Sequence, residues 1–485
     1  MKKKGSVTVF ICLFLAVFIG VMQVLFQSVQ IAGGRVQAIA GVEEGLYSVF
    51  AQYDRELFET YHLFFVDGTY GTGELNLGRA YHIVTEQLGY SCSPRMTELD
   101  IRGENLWNCY FENGEITGYT LATDQNGLSF KRQAVDYMKD TLGIQGIQLL
   151  LNASEKNEWS ITEDGTVYLE EGKNAQESYE VEINADKAQV DVPQEEQQVE
   201  VPDDFVNPLD VIKDIQEKGI LSLVLPLSEE VSQESFLEEE LISVRELETG
   251  FGIMEEDSED IVDTLLFQEY LMTHLNCYTN NPDNSGIAYE LEYVIAGKES
   301  DIDNLKSVVT RLLGIREAVN IVYLMKDPIR QSEIHQMSLL ICTAIGLPAL
   351  ESVVSLALAA AWSFGESVLD VRQLLNGGNV PFMKSESTWK LSIEGLSNLA
   401  QLLEEDQKTE QEGMSYEQYL RILIGIQKID QQVPRAMDIV ENTMKKMEGK
   451  EMFRMDCCIS YMEVNMKVSC NNKEYEIQRS YGYQM

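Results

Sequence analysis

Two carboxylates, Glu366 and Asp370, stand four residues apart in the apolar run Ala361-Trp-Ser-Phe-Gly-Glu-Ser-Val-Leu-Asp370. On a helix that spacing puts them on one face, one turn apart. Neighbouring carboxylates whose surroundings drive their pKa values apart can divide acid and base work. The same placement serves helix capping or an internal salt bridge, and the spacing alone favours that plainer use. Other chemistry-bearing patterns are thinner. The four histidines, His62, His82, His274 and His335, form no H-E-x-x-H, and no C-x-x-C occurs, so no zinc site is expected.

Asp67-Gly-Thr-Tyr-Gly71 has the outline of a cation-binding adhesion motif, but Gly71 stands where a second hydroxyl is needed. A strand end followed by a turn accounts for it. Asp124-Gln-Asn126-Gly offers two oxygens of a calcium loop without the closing glutamate and also reads as a turn. Seven cysteines lie outside the apolar N-terminal run: Cys92, Cys109, Cys277, Cys342, Cys457, Cys458 and Cys470. An odd number precludes complete intramolecular pairing. Cys92 with Cys109, and Cys457 or Cys458 with Cys470, are the candidate pairs. No catalytic, cofactor-binding or metal-ligating residue is assigned, and no cofactor is expected.

The element that must position everything else is the beginning of the chain. Lys2, Lys3 and Lys4 precede a run from Val7 to Phe26 with no charge and only Thr8 and Gln23 as uncharged polar side chains. As a helix it spans a hydrocarbon core of about 30 Å. Lysines on one side place residues 1–5 inside and everything after about residue 32 outside. The membrane is therefore the first expected partner, through residues 7–29. A cleaved secretory signal needs a shorter core and a small-x-small site; Ala32-Gly33-Gly34 is its weak candidate. Apolar residues from Val36 to Tyr61 recur at three- and four-residue steps, so one long helix, amphipathic after its start, is expected.

Lys-Lys-Lys-Gly-Ser-Val-Thr-Val-Phe10, the apolar run and Gly34-Arg35 resemble the N-terminus of TadE/TadG-type pseudopilins of the tight-adherence (Tad) pilus, a relative of type IV pili. The chain is also similar to an uncharacterised bacterial membrane-anchored family associated with Tad pilus genes. The segments 48–67, Leu291-Glu-Tyr-Val-Ile-Ala-Gly-Lys298 and 361–370 carry that likeness. The first resemblance implies leader-processing positions: cleavage between Gly5 and Ser6, with a glutamate expected where Phe10 stands. Phe10 argues against cleavage and against incorporation in a filament.

Net charge is −42, from 37 Lys+Arg against 79 Asp+Glu. Such a surface repels phosphates, so nucleic acid is excluded as a partner. The fold class expected is α+β and mostly helical. Residues 1–32 form the tail and transmembrane anchor. Residues 33–152 form the amphipathic helix and an α+β base, with a strand near Leu63–Asp67 and strands turning at Glu112-Asn113-Gly114 and Gly118. Residues 153–208 read as an acidic linker, with a weak strand at Thr166–Leu169. Residues 209–451 form a helical domain, in which Ser338–Phe364 is buried core rather than a second span. Residues 452–485 alternate as a hairpin over Cys458–Tyr481, too small to stand alone and so expected to join the base.

Two functions compete. One is a non-enzymatic, membrane-anchored extracytoplasmic component of a Tad-like pilus or secretion apparatus, with other components of that apparatus as partners. The other is an extracytoplasmic cell-wall enzyme or ligand-binding protein using carboxylates such as Glu366 and Asp370.

Overall fold

The computed structural model describes residues 4–92, 95–96, 101–102, 105, 107–154, 159–186, 201–202, 205–225, 231–252, 260–281, 286–403 and 411–483. In chain order the helices are α1 (Lys4–Phe50), α2 (Arg55–Tyr61), α3 (Leu77–Cys92), α4 (Asp124–Ser154), α5 (Trp159–Asp186), α6 (Pro208–Gln216), α7 (Ile220–Val224), α8 (Ile261–His274), α9 (Glu290–Ala296), α10 (Asp301–Lys326), α11 (Pro328–Ile345), α12 (Glu351–Leu375), α13 (Leu399–Leu402), α14 (Tyr416–Ile426) and α15 (Ile429–Lys445). The strands are β1 (Val66–Asp67), β2 (Arg95–Met96), β3 (Ile101–Arg102), β4 (Cys109–Leu121), β5 (Cys458–Cys470) and β6 (Lys473–Gly482). The protein is thus mostly helical α+β.

Two compact units form. Unit 1 is Met1–Thr141, Glu239–Tyr270 and Ile429–Met485; unit 2 is Leu142–Glu238 and Leu271–Lys428.

Unit 1 is organised around β5. Antiparallel β4 pairs along it from Cys109↔Cys470 to Leu121↔Ile459. β6 pairs from Tyr461↔Gly482 to Cys470↔Lys473, joined to β5 by Asn471 and Asn472 in the left-handed region. β1 pairs with Cys458 and Ile459 at the start of β5. The C-terminal hairpin therefore completes a sheet begun by the N-terminal segment. Alternation along β5 sends Met462, Val464, Met466 and Val468 into the core. There they meet Ala38, Val42, Leu46 and Val49 of α1 and Ala80, Val84 and Leu88 of α3. Helices α1 and α3 lie close because Gly41 and Gly45 carry no Cβ: one built on Gly45 would stand 2.8 Å from Val84 Cα. Tyr481 packs edge-on against Tyr47 and Phe50, fixing β6 to α1.

Several expectations need correction here. The first helix ends at Phe50, not Tyr61: the Asp54 carboxylate accepts the Leu57 N–H at 3.1 Å and caps a separate helix, α2. The strand expected over 62–67 is only Val66–Asp67. The glycine-marked turns of 109–121 are not turns. β4 is one strand whose register shifts between Phe111 and Asn113 and between Ile116 and Gly118, so these residues sit at bulges. Pro434 lies inside α15 without ending it. The Asp430 carbonyl, which Pro434 cannot use, accepts the Asn126 side-chain N–H at 3.1 Å. The helical domain does not run through 209–451: α15 and residues 239–270 belong to unit 1. Arg245 explains why, since it donates to Glu441 at 2.6 and 2.8 Å and to Asp456, just ahead of β5, at 2.7 Å.

Unit 2 packs α5, α10 and α12 against one another, with α11 on α12 and α9 on α10. The supposed linker and its weak strand are overturned over 159–186, where the chain is α5. Residues 187–200 of that linker lie outside the described residues. In α5, Leu169, Gly172, Ala175 and Tyr179 are buried at steps of three and four. A Cβ on Gly172 would lie 2.7 Å from Ala360 Cβ, so this face fits closely on α12. Acidic side chains on the other faces concealed that stripe. α12, apolar enough for a span, is buried from Val354 to Leu375 almost throughout. It is a core helix. Ser415 and Gln418 form a capping box at the start of α14.

Candidate functional site: the first helix and the buried carboxylates

α1 changes environment along its length. From Val7 to Val29 its large apolar side chains are 50 to 69% exposed, although that stretch is the most apolar in the chain. Leaving so much apolar surface in water is costly. The helix is long and apolar enough to cross a membrane. From Ala38 onward the same helix is core. It runs unbroken through Gly33 and Gly34. Gly33 accommodates the ring of Trp107, whose Cζ3 would lie 2.4 Å from a Cβ there. The leader-processing residues Gly5, Ser6 and Phe10 all fall inside α1, with Phe10 exposed.

The sequence-nominated carboxylates lie together in unit 2, enclosed by their own counter-charges. Glu366 accepts from Lys384 Nζ at 2.6 Å and from the Leu391 backbone N–H at 2.8 Å. Asp370 Oδ2 accepts from Arg316 Nη2 at 2.9 Å, Arg316 Nε at 3.1 Å and Asn320 Nδ2 at 3.1 Å. Lys384 Nζ lies 2.6 Å from the other Asp370 oxygen. All four charged side chains are at most 1% exposed. Burial pushes Glu366 up against the pull of Lys384. Burial also acts upward on Asp370, but Arg316 and Lys384 outweigh it and hold that carboxyl below its usual range. Two cations facing two carboxylates close a neutral network with no surface open to a substrate.

A second acid pair escaped the sequence reading. Glu290 and Glu292 open α9, both buried. Glu290 accepts the Asn276 N–H at 2.7 Å; Glu292 accepts the Tyr278 N–H at 2.9 Å and the Tyr416 hydroxyl at 2.8 Å. Burial pushes both carboxyls up to about 7. The only signal was two glutamates embedded in the apolar run before Gly297. They hold the 276–278 loop onto α9 and anchor Tyr416 of α14.

The turn after β1 satisfies itself. Asp67 Oδ1 accepts the Thr69 N–H at 2.9 Å and the Thr69 hydroxyl at 2.6 Å. Among the described residues no group of His, Cys, Asp and Glu is arranged to hold a metal ion.

No curated protein and no solved structure matches the chain. A family model described as a family of unknown function (DUF5702) matches residues 195–470, more than half of the sequence and none of α1, and the chain belongs to that family.

Proposed function

We propose that the protein is a non-enzymatic, membrane-anchored component of a Tad-like pilus or secretion apparatus, with its body outside the cytoplasm. The observation that carries this reading is α1. One helix is bare and apolar over Val7–Val29 and then serves as core of an α+β unit, with no linker between anchor and body. That arrangement suits a body held rigidly at a membrane surface. Lys2–Lys4 ahead of the span favour an inside N-terminus. The resemblance to pseudopilin N-termini supplies the apparatus, and a net charge of −42 suits a solvated exterior. The enzyme reading finds no support at Glu366 and Asp370, where the neighbouring cations occupy the positions a substrate would need.

The test is a paired fusion at the C-terminus: alkaline phosphatase, active only outside, and a fluorescent protein that folds only in the cytoplasm. Phosphatase activity alone is expected; cytoplasmic fluorescence alone would overturn the topology. Crosslinking in native membranes should then recover Tad-type components, and their absence from the crosslinked material would remove the apparatus from the reading. Because Phe10 stands in place of glutamate, N-terminal sequencing should find α1 intact; a quantitative start at Ser6 would show processing.

A further inference from the structure

Three cysteines from three separate elements meet at one end of the unit 1 sheet. Cys92 is the last residue of α3, Cys109 the first of β4 and Cys470 the last of β5. All three are buried. Cys109 is the shared centre: its Sγ lies 2.7 Å from Cys470 Sγ and 3.7 Å from Cys92 Sγ. Cys109 and Cys470 are register partners on antiparallel strands. Opposed Cα atoms in such a pair are about 4.5 to 5.5 Å apart, within the span a disulfide bridges. Cys457 and Cys458 stand at the opposite end of β5, so neither reaches Cys470, contrary to the pairing expected from the sequence.

The geometry points to a modification site: Cys109 and Cys470 are oxidised to a cross-strand disulfide by a thiol–disulfide exchange partner, and Cys92 remains a thiol. The oxidant is a disulfide, either that of a thiol oxidoreductase or a low-molecular-weight one of the glutathione type. In the balanced step, taken while unit 1 is still open and both sulfurs are reachable, the Cys109 thiolate attacks the partner disulfide and releases one partner thiol. The Cys470 thiolate then attacks Cys109 Sγ in the mixed disulfide and releases the second. Two protein thiols lose two electrons and two protons, and one partner disulfide becomes two thiols. The bond would tie the end of β5 to the start of β4 beside α1. There Gly34 lets both sulfurs approach: Cys109 Sγ lies 3.7 Å from its carbonyl oxygen, and a Cβ on Gly34 would stand 3.1 Å from Cys470 Sγ. In cells the oxidised state rests on the extracytoplasmic placement proposed above, because such disulfides persist in oxidising compartments; the site itself does not.

Full-length protein should be precipitated from native membranes with acid to stop exchange, dissolved in denaturant with N-ethylmaleimide at neutral pH, then digested with trypsin without reduction. Residues 80–95, 103–131 and 468–473 fall in separate peptides and carry Cys92, Cys109 and Cys470. The expected result is 103–131 linked to 468–473, with Cys92 alkylated, and the same link in a Cys92→Ala variant. A parallel sample of purified protein unfolded under reduction is refolded with oxidised glutathione. A link that forms there while both thiols are free in cells supports the site and refutes the compartment. Alkylation of Cys109 and Cys470 in both samples, or a link from Cys92 to Cys109 with Cys470 free, overturns the proposal.

Discussion

Replacing Glu292 with glutamine should make the protein more stable at alkaline pH and leave it nearly unchanged in acid. Burial raises the Glu292 carboxyl from 4.5 to about 7 in the folded state. A raised folded pKa on an acid means that folding disfavours its charged form. Stability is therefore whole below about pH 4.5, falls as pH rises and levels off above about pH 7. One pKa unit is about 1.36 kcal/mol, so the full loss is about 3 kcal/mol, of which about 2.5 kcal/mol falls between pH 5 and pH 8. Glutamine keeps an oxygen for the Tyr278 N–H and the Tyr416 hydroxyl and has no charge to bury. Urea unfolding followed by tryptophan fluorescence reads it, since Trp362 and Trp389 are both buried in unit 2. The wild type should lose stability from pH 5 to pH 8, and E292Q should lose about 2.5 kcal/mol less. Glu290, also raised to about 7 and in part by the Glu292 charge beside it, should show the same direction in E290Q. Equal pH dependence in wild type and E292Q would refute the claim that Glu292 is driven up by burial.

Further perturbations test the packing of each unit. Arg316→Met should cost about 3 to 5 kcal/mol, because Asp370 keeps its burial and loses its main partner; adding Asp370→Leu should recover part of the loss, and a double variant no better than the single would count against the network. Gly45→Val should destabilise unit 1 by about 1 to 3 kcal/mol, since its Cβ meets the Val84 backbone; an unchanged melting transition would mean that α1 and α3 are not so close. Deleting residues 452–485 should open α1, α3 and β4 to limited proteolysis while α10 and α12 stay protected, and equal cleavage of both units would refute their separate cores.

What could be read from the sequence was what repeats locally. The apolar run of α1 declares itself, and the period-two alternation of β5 with the Asn471-Asn472 turn is a hairpin on its face. Its partner strand followed from size alone, since a hairpin cannot stand by itself. What was not legible depends on residues far apart in the chain. Glu366 and Asp370 look like candidate catalysts until Arg316 and Lys384, distant in sequence, are seen to neutralise them. α5 passed for a linker because Leu169, Gly172, Ala175 and Tyr179 are small or sparse among acids, and only the matching surface of α12 makes them a core face. The glycines of β4 read as turns in the sequence because a bulge and a turn ask the same freedom of the backbone. The cysteine cluster needed the strand register, which no spacing rule supplies.

The place of β5 at the centre of its sheet sets a schedule for making the protein. Helices α1 and α3 and strand β4 leave the ribosome first, while the strand they pack against follows all of unit 2. Unit 2 is complete before unit 1 can close. Until β5 arrives, the faces of α1 and α3 that will form the core are uncovered. A chain interrupted between residues 429 and 457 has a finished helical unit and an open base, so a stop there leaves an apolar surface for proteases and chaperones to find. Completion of synthesis is thereby written into the fold: only a chain translated through β5 can shut its first domain.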